Sequence, residues 1–310
     1  MFFLRNFSAI DARFFVAILA AVFIFLSPYT VAGAAVGADG VTEYRYHRGG
    51  LTGGRVPYET ELLDLLLHES EAEFGPARIV FDDEEISYYR ARELMRGGNY
   101  LHVQTGVTFQ FGKDSGVLVV EQPILKNLLG YRQLIAKNDS LDRIAKERDL
   151  ESFVQLVAGQ VTAWPDIDVL KKNGIPVRTA AAYPSLYPML KFDRFDYISL
   201  GIGEIHASLV AQKDTNKDFS VVEDLVLYYP FPAYITVSES VPELAKRFDF
   251  AMNKITKSGQ FDEIFHRHFH KIIARLNKSE TRVFILEGVG KSNTKSLESP
   301  VLLDKAKWIR

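Results

Sequence analysis

Cysteine is absent from this 310-residue chain. Its absence excludes disulfides, thiolate metal centres, a cysteine nucleophile and a lipid-modified N-terminal cysteine. It does not exclude export, because a chain of this size builds a core large enough to need no covalent staple. An excess of one charge sign is missing too: 37 Lys and Arg face 39 Asp and Glu. No basic stripe is dense enough to serve nucleic acid. Beyond the N-terminus, no apolar run approaches the ~20 residues a membrane-crossing helix needs. A nucleophile elbow, a helical zinc-binding pair and a phosphate loop ending in Gly-Lys-Ser/Thr are also lacking. These absences point to a binding protein without cofactor or metal, not an enzyme.

What is present begins with an export signature. Arg5 and Arg13 form a positive segment before Phe14–Leu26, an apolar run of 13 residues. Ser27-Pro28-Tyr29 breaks the run, and Ala32-Gly33-Ala34 offers the small-x-small pattern of a signal-peptidase site. Residues 1–34 are therefore expected to be a signal peptide, with Ala35 first in the mature, periplasmic chain. The alternative is an uncleaved anchor, since the apolar stretch could be prolonged through Val36. Without the signal, 35 basic and 38 acidic side chains remain, on a chain long enough for two lobes of ordinary size.

The remainder alternates strand-like and helix-like stretches, the pattern of an α/β fold. Strands are expected at Val41–His47, Ile79–Asp82, Tyr100–Phe111, Gly116–Glu121, Gly130–Ala136, Pro176–Thr179 and Phe195–Ser199. Leu225–Tyr229 and Ala233–Val237 read as extended chain around Pro230-Phe231-Pro232. Helices are expected at Tyr58–His68, with Leu62, Leu63, Leu66 and Leu67 as its apolar stripe, and at Ile86–Met95. Further helices are expected at Leu141–Leu150, Ser152–Ala158, from Pro165, from Pro184, at Glu204–Ala211 and at Glu243–Lys257. A last one carries Phe261, Ile264, Phe265, Phe269 and Ile272. Gly288–Pro300 reads as a loose loop.

The order of five stretches resembles the type 2 periplasmic solute-binding proteins, in the branch called transporter substrate-binding domain or family 3 solute-binding proteins. They are Tyr58–Leu67; Gly130-Tyr131-Arg132; Gly159–Val177; Arg194–Tyr197 with Gly201 to Glu204; and the tail from Tyr229. Arg282-Val283-Phe284 and Trp308 match that branch's C-terminal extension. The resemblance implies two lobes joined by two crossing hinge strands, closing on a ligand between them. Lobe 1 is then residues 41–125 plus 230–310, and lobe 2 is residues 130–225. It also implies delivery of a small polar solute, an anionic one included, to an ABC-type permease complex in the inner membrane. A sensor subunit for a membrane signalling receptor and an enzyme on the same scaffold are the alternatives. No nucleic-acid partner and no stable membrane insertion after signal cleavage are expected.

Ligands of open α/β sheets sit beyond the carboxyl ends of strands. That rule selects Tyr58, beside Arg55 and the glycine loop Gly49–Gly54, and Thr105 and Thr108 after the strand from Tyr100. It also selects Thr162 and Trp164, and Tyr183, at helix starts with free backbone donors. Glu204 enters through the resemblance, three residues after Gly201, which stands near the place of the aspartate that holds the ligand ammonium in amino-acid-binding members. Arg132, just past the first crossing, offers two parallel donors to a carboxylate or phosphate. Each of these has a plainer reading as packing or as a surface ion pair. Neither Trp164 nor Arg132 lies on an apolar helix stripe, so truncating either should cost little stability. In amino-acid-binding members an arginine and an aspartate anchor the ligand; here Lys113 or Asp114 and Gly201 stand near those places. Common α-amino acids are therefore expected to bind weakly or not at all. His266, His268 and His270 look like a metal cluster, but only the first and last share a helix face.

Overall fold

Alternation of side chains shapes the first long strand. Along Thr42–His47 it turns Tyr44 and Tyr46 inward and leaves Arg45 in solvent. The chain then forms the helix Val56–Glu69, with Pro57 in its first turn and Leu62, Leu63, Leu66 and Leu67 buried. This stripe packs on the two long C-terminal helices, Pro242–Ser258 and Gln260–Lys278. Full burial of each such side chain contributes about 1.5–3 kcal/mol. The computed structural model describes residues 33–48, 54–84, 86, 88–98, 100–107, 115–212, 216–278, 280–289 and 302–309. Residues 1–32, on which the expected signal falls, Gly49–Gly53, Thr108, Lys113, Asp114 and most of Gly288–Pro300 lie outside them.

Two sheets organise the molecule. Strands are numbered β1 (Ala35–Val36), β2 (Thr42–His47), β3 (Ala77–Asp82), β4 (Val103–Val107), β5 (Val117–Val119), β6 (Tyr131–Lys137) and β7 (Ala158–Val161). They continue with β8 (Val177–Ala180), β9 (Tyr197–Gly201), β10 (Phe219–Tyr228), β11 (Ala233–Ser238), β12 (Arg282–Ile285) and β13 (Trp308–Ile309). The first sheet runs β1-β2-β4-β11-β5, with β3 also paired to β2. The second runs β13-β12-β10-β6-β9-β7-β8. Strands β2, β3 and β4 are mutually parallel, as are β7, β8 and β9, so their carboxyl ends share one edge of each sheet.

The chain passes between the sheets three times, after β5, after β10 and again before β12, and the first two passages pack together. Tyr229 donates its backbone N–H to Gly130, and Asn127 accepts from Phe231 N–H at 2.7 Å. Asn127 adopts φ 61°, a left-handed conformation that asparagine tolerates better than most residues. Gly130 admits no side chain, because a Cβ there would lie 2.2 Å from the Tyr229 carbonyl oxygen.

Three sequence expectations change. Ala158, expected to end a helix, opens β7, and the helix there is only Leu150–Phe153. Gly159 and Gln160 are weak strand formers, but β8, β9 and the Phe195 ring close around them. Strand β10 starts at Phe219, six residues before the expected Leu225. The C-terminal segment, assigned with lobe 1 in the sequence, sits on the second sheet. There β12 pairs with Leu225–Tyr228, and β13 pairs with β12.

Candidate functional site

The carboxyl-end edges of the two sheets face each other across a seam, and the charged residues converge there. From the first sheet's side comes the start of the helix Val56–Glu69. Arg55 and Glu59, one helical turn apart, pair through Arg55 Nε at 2.9 Å and Nη2 at 2.5 Å, both to Glu59 Oε1. Glu59 is fully buried, and its other oxygen accepts from Tyr46 and from Thr105, each at 2.6 Å. Tyr46 lies on β2 and Thr105 on β4, so strand ends and helix start fix one carboxylate from three directions. From the second sheet comes Arg132 on β6, 4% exposed. Its Nη2 lies 2.6 Å from Asp166, and its Nε donates to Tyr229 Oη at 3.1 Å. Tyr229 in turn donates to Asp166 at 2.6 Å.

Glu204 joins the halves. It follows β9 and heads the helix Ile205–Ala211. Oε1 stands 3.5 Å from Arg55 Nη1, and Oε2 stands 3.7 Å from Arg132 Nη1 and accepts from Gly201 N–H at 3.2 Å. A continuous chain therefore runs Thr105–Glu59–Arg55–Glu204–Arg132–Asp166–Tyr229. Five charged groups, none more than 8% exposed, balance within one unit of charge. Burial alone would disfavour the charge on either arginine. Glu59 and Glu204 around Arg55, and Asp166, Tyr229 and Glu204 around Arg132, outweigh it, and both guanidinium pKa values are raised. Tyr46 and Tyr229 are held far above the ordinary phenol range, first by burial and then by the neighbouring carboxylates. They remain hydrogen-bond donors at any physiological pH.

The two sides touch through backbone as well. A Cβ on Gly54 would lie 1.8 Å from the Gly203 carbonyl oxygen. Glycine at position 54 therefore lets Arg55 and Glu204 approach this closely.

Of the residues selected from the sequence, Thr105, Arg132 and Glu204 are brought together in this chain. Tyr58 is not: it is fully buried in the core, donates to the Ile124 carbonyl and packs on Phe265, His268 and Phe269. Thr162 is exposed, and its backbone N–H and hydroxyl both bond the Ala180 carbonyl. The Trp164 N–H is likewise taken by Val161. Trp164 and Tyr183 stack, half-buried, with centroids 5.9 Å apart, after β7 and β8. Thr108 lies outside the described residues. Four members were not singled out: Tyr46, Glu59, Asp166 and Tyr229. The signal for Glu59 was its place four residues after Arg55 in the first helical turn; for Asp166, its place after Trp164-Pro165. Elsewhere, His266 and His270 stack 4.9 Å apart, and His268 Nε2 lies 2.7 Å from Glu61.

No family model matches the sequence, and no curated protein matches it. Solved structures do match. An ancestral arginine-binding protein bound to glutamine superposes with a TM-score of 0.54 at 15% identity, over 73% of this chain and 97% of its own. A periplasmic His/Glu/Gln/Arg/opine family-binding protein from Silicibacter pomeroyi, in complex with lysine, gives 0.52 at 13% identity, over 73% and 96%. The VFT2 domain of BvgS from Bordetella pertussis gives 0.52 at 15% identity, over 73% and 92%. The chain thus has the two-lobed α/β fold of the type 2 periplasmic binding proteins. The charged seam falls between its lobes.

Proposed function

We propose that this is an exported solute-binding protein that captures a small polar solute in the seam and delivers it to an inner-membrane transporter of the ABC type. One observation carries the reading: Arg55, Glu59, Arg132, Asp166 and Glu204, drawn from both lobes, meet buried at the carboxyl ends of both sheets. Breaking a buried ion pair costs about 3–5 kcal/mol, whereas well-packed apolar residues of the same volume are often as stable. Packing alone therefore gives no reason for five charges at this seam; recognition of a polar guest does. Trp164 and Tyr183 supply a flat apolar wall on the same edge of the second sheet. The lobes divide at the crossings, with 282–309 counted with lobe 2. Export through the N-terminal signal completes the proposal. Among the described residues no helix is long and apolar enough to cross a membrane.

A thermal-shift screen of polar metabolites against the mature chain tests the reading. A solute at 100 times its dissociation constant adds ~2.7 kcal/mol of stability. Shifts confined to hits whose effect disappears in an Arg132→Ala variant support it. Hits that shift both proteins alike contradict it. Because Gly201 offers no carboxylate to an ammonium group, common α-amino acids should give weak or no heat on calorimetric titration. A micromolar fit, about −8 kcal/mol, would contradict that.

A further inference from the structure

The Glu204 carboxylate stands between two guanidinium groups from opposite lobes. Each arginine already has a closer carboxylate of its own, Glu59 for Arg55 and Asp166 for Arg132. Neither of those acids bridges the lobes; Glu204 does. A guanidinium has five donors and can serve two carboxylates at once. The contacts to Glu204 are also the looser ones, 3.5 and 3.7 Å against 2.5 and 2.6 Å for the close pairs. Glu204 is thus the one member that can leave while both arginines keep a partner. Its carboxylate also takes the Gly201 N–H, a backbone donor at the end of β9. Two guanidinia and a backbone N–H converging on one carboxylate make an anion receptor, and the chain fills it with its own side chain.

We propose that Glu204 is a tethered carboxylate that competes with the solute for this receptor, so that the solute is a small organic carboxylate entering as Glu204 swings out. The proposal rests on the seam being the solute site and adds the chemical class of the solute and the residue it displaces. Opposite lobes held by one internal carboxylate also give a bistable closure: the bridge breaks when Glu204 leaves and is remade by the solute's own carboxylate.

Chemical rescue tests this. Glu204→Ala removes the methylene and carboxylate that acetate reproduces atom for atom. Melting midpoints of the wild type, Glu204→Ala and Glu204→Gln are compared in sodium acetate, in sodium chloride of equal ionic strength and in acetamide. Glu204→Ala should melt below the wild type in chloride and recover at least half of that loss in acetate. Acetamide should not restore it. The wild type and Glu204→Gln, whose receptors stay filled, should melt alike in acetate and chloride. Should Glu204→Ala fail to fold in chloride, the readout becomes the folded fraction recovered on refolding, expected to rise in acetate alone. Rescue by chloride or acetamide equal to that by acetate, or no rescue at all, overturns the proposal. Rescue without any metabolite hit on the wild type would leave Glu204 as the tethered group and remove the capture reading. A hit without rescue would do the reverse.

Discussion

His102 and Arg132 show how far one buried polar side chain commits the fold. His102, 4% exposed, accepts the Arg45 backbone N–H at Nδ1, 3.0 Å away, and its Nε2 has no hydrogen-bond partner. Burial, helped by the charge of Arg45, lowers its pKa below the ordinary 6.5. The folded state therefore binds this proton less readily than the unfolded chain. The resulting stability is complete above about pH 6.5 and is lost as pH falls from there through the lowered pKa. Replacing His102 by Asn keeps an acceptor for Arg45 and removes the titration. Denaturant midpoints measured across mildly acidic pH should fall less steeply in His102→Asn than in the wild type. Equal slopes would remove His102 from the account.

At Arg132 the structure revises the expectation of a cheap truncation. Arg132→Ala would strand Asp166, 4% exposed, with only Tyr229 to satisfy it. A loss of about 3–5 kcal/mol is expected by urea denaturation; a loss below 1 kcal/mol would mean the seam is wetter than its burial implies. From the sequence, Arg132 was legible as a seam member through its place just past the first crossing, and Glu204 through its place three residues after Gly201. Glu59 and Asp166 were not, since an acid in a first helical turn is accounted for by the helix dipole alone. Tyr58 misled for a related reason: it stands in the same first helical turn as Glu59, but helical periodicity turns it into the core with Leu62, against Phe265 and Phe269.

At the scale of elements, most helices and strands announced themselves through periodicity, proline starts and glycine stops. Gly259, with φ 86°, ends Pro242–Ser258 where the sequence placed the stop. Strand β7 was hidden because only Val161 of Ala-Gly-Gln-Val favours a strand; its neighbours impose it. The contact of Gly54 with Gly203 is the element-level constraint with the clearest consequence. The atoms a methyl group on Gly54 would meet are backbone atoms of Gly203 and Glu204, so no rotamer change relieves it. Gly54→Ala should therefore hold the lobes apart, seen as a larger radius of gyration in solution scattering, with weaker binding of any solute found for the wild type. An unchanged radius with unchanged affinity would show that the Arg55 turn shifts instead.

For the whole molecule, the two-lobed plan could be read from the order of segments, including the first two crossings. The ownership of the C-terminal segment could not, because Val283–Ile285 is a short apolar run that fits either sheet edge. Pairing with β10 decides it, and Phe284 buries its ring against Phe153 of the second lobe. The last strands therefore extend the sheet that carries Arg132 and whose strand β9 leads to Glu204.

The central claim, that a polar solute is held between the lobes by the charged seam, is tested most directly by a crystal structure of the mature chain with the solute giving the largest thermal shift. The account predicts that solute between the lobes, with polar atoms within about 3.2 Å of the Arg55 and Arg132 guanidinia, and with Glu204 turned away from both. Solute density on an outer face of either lobe, with the Arg55–Glu204–Arg132 chain intact, would contradict it.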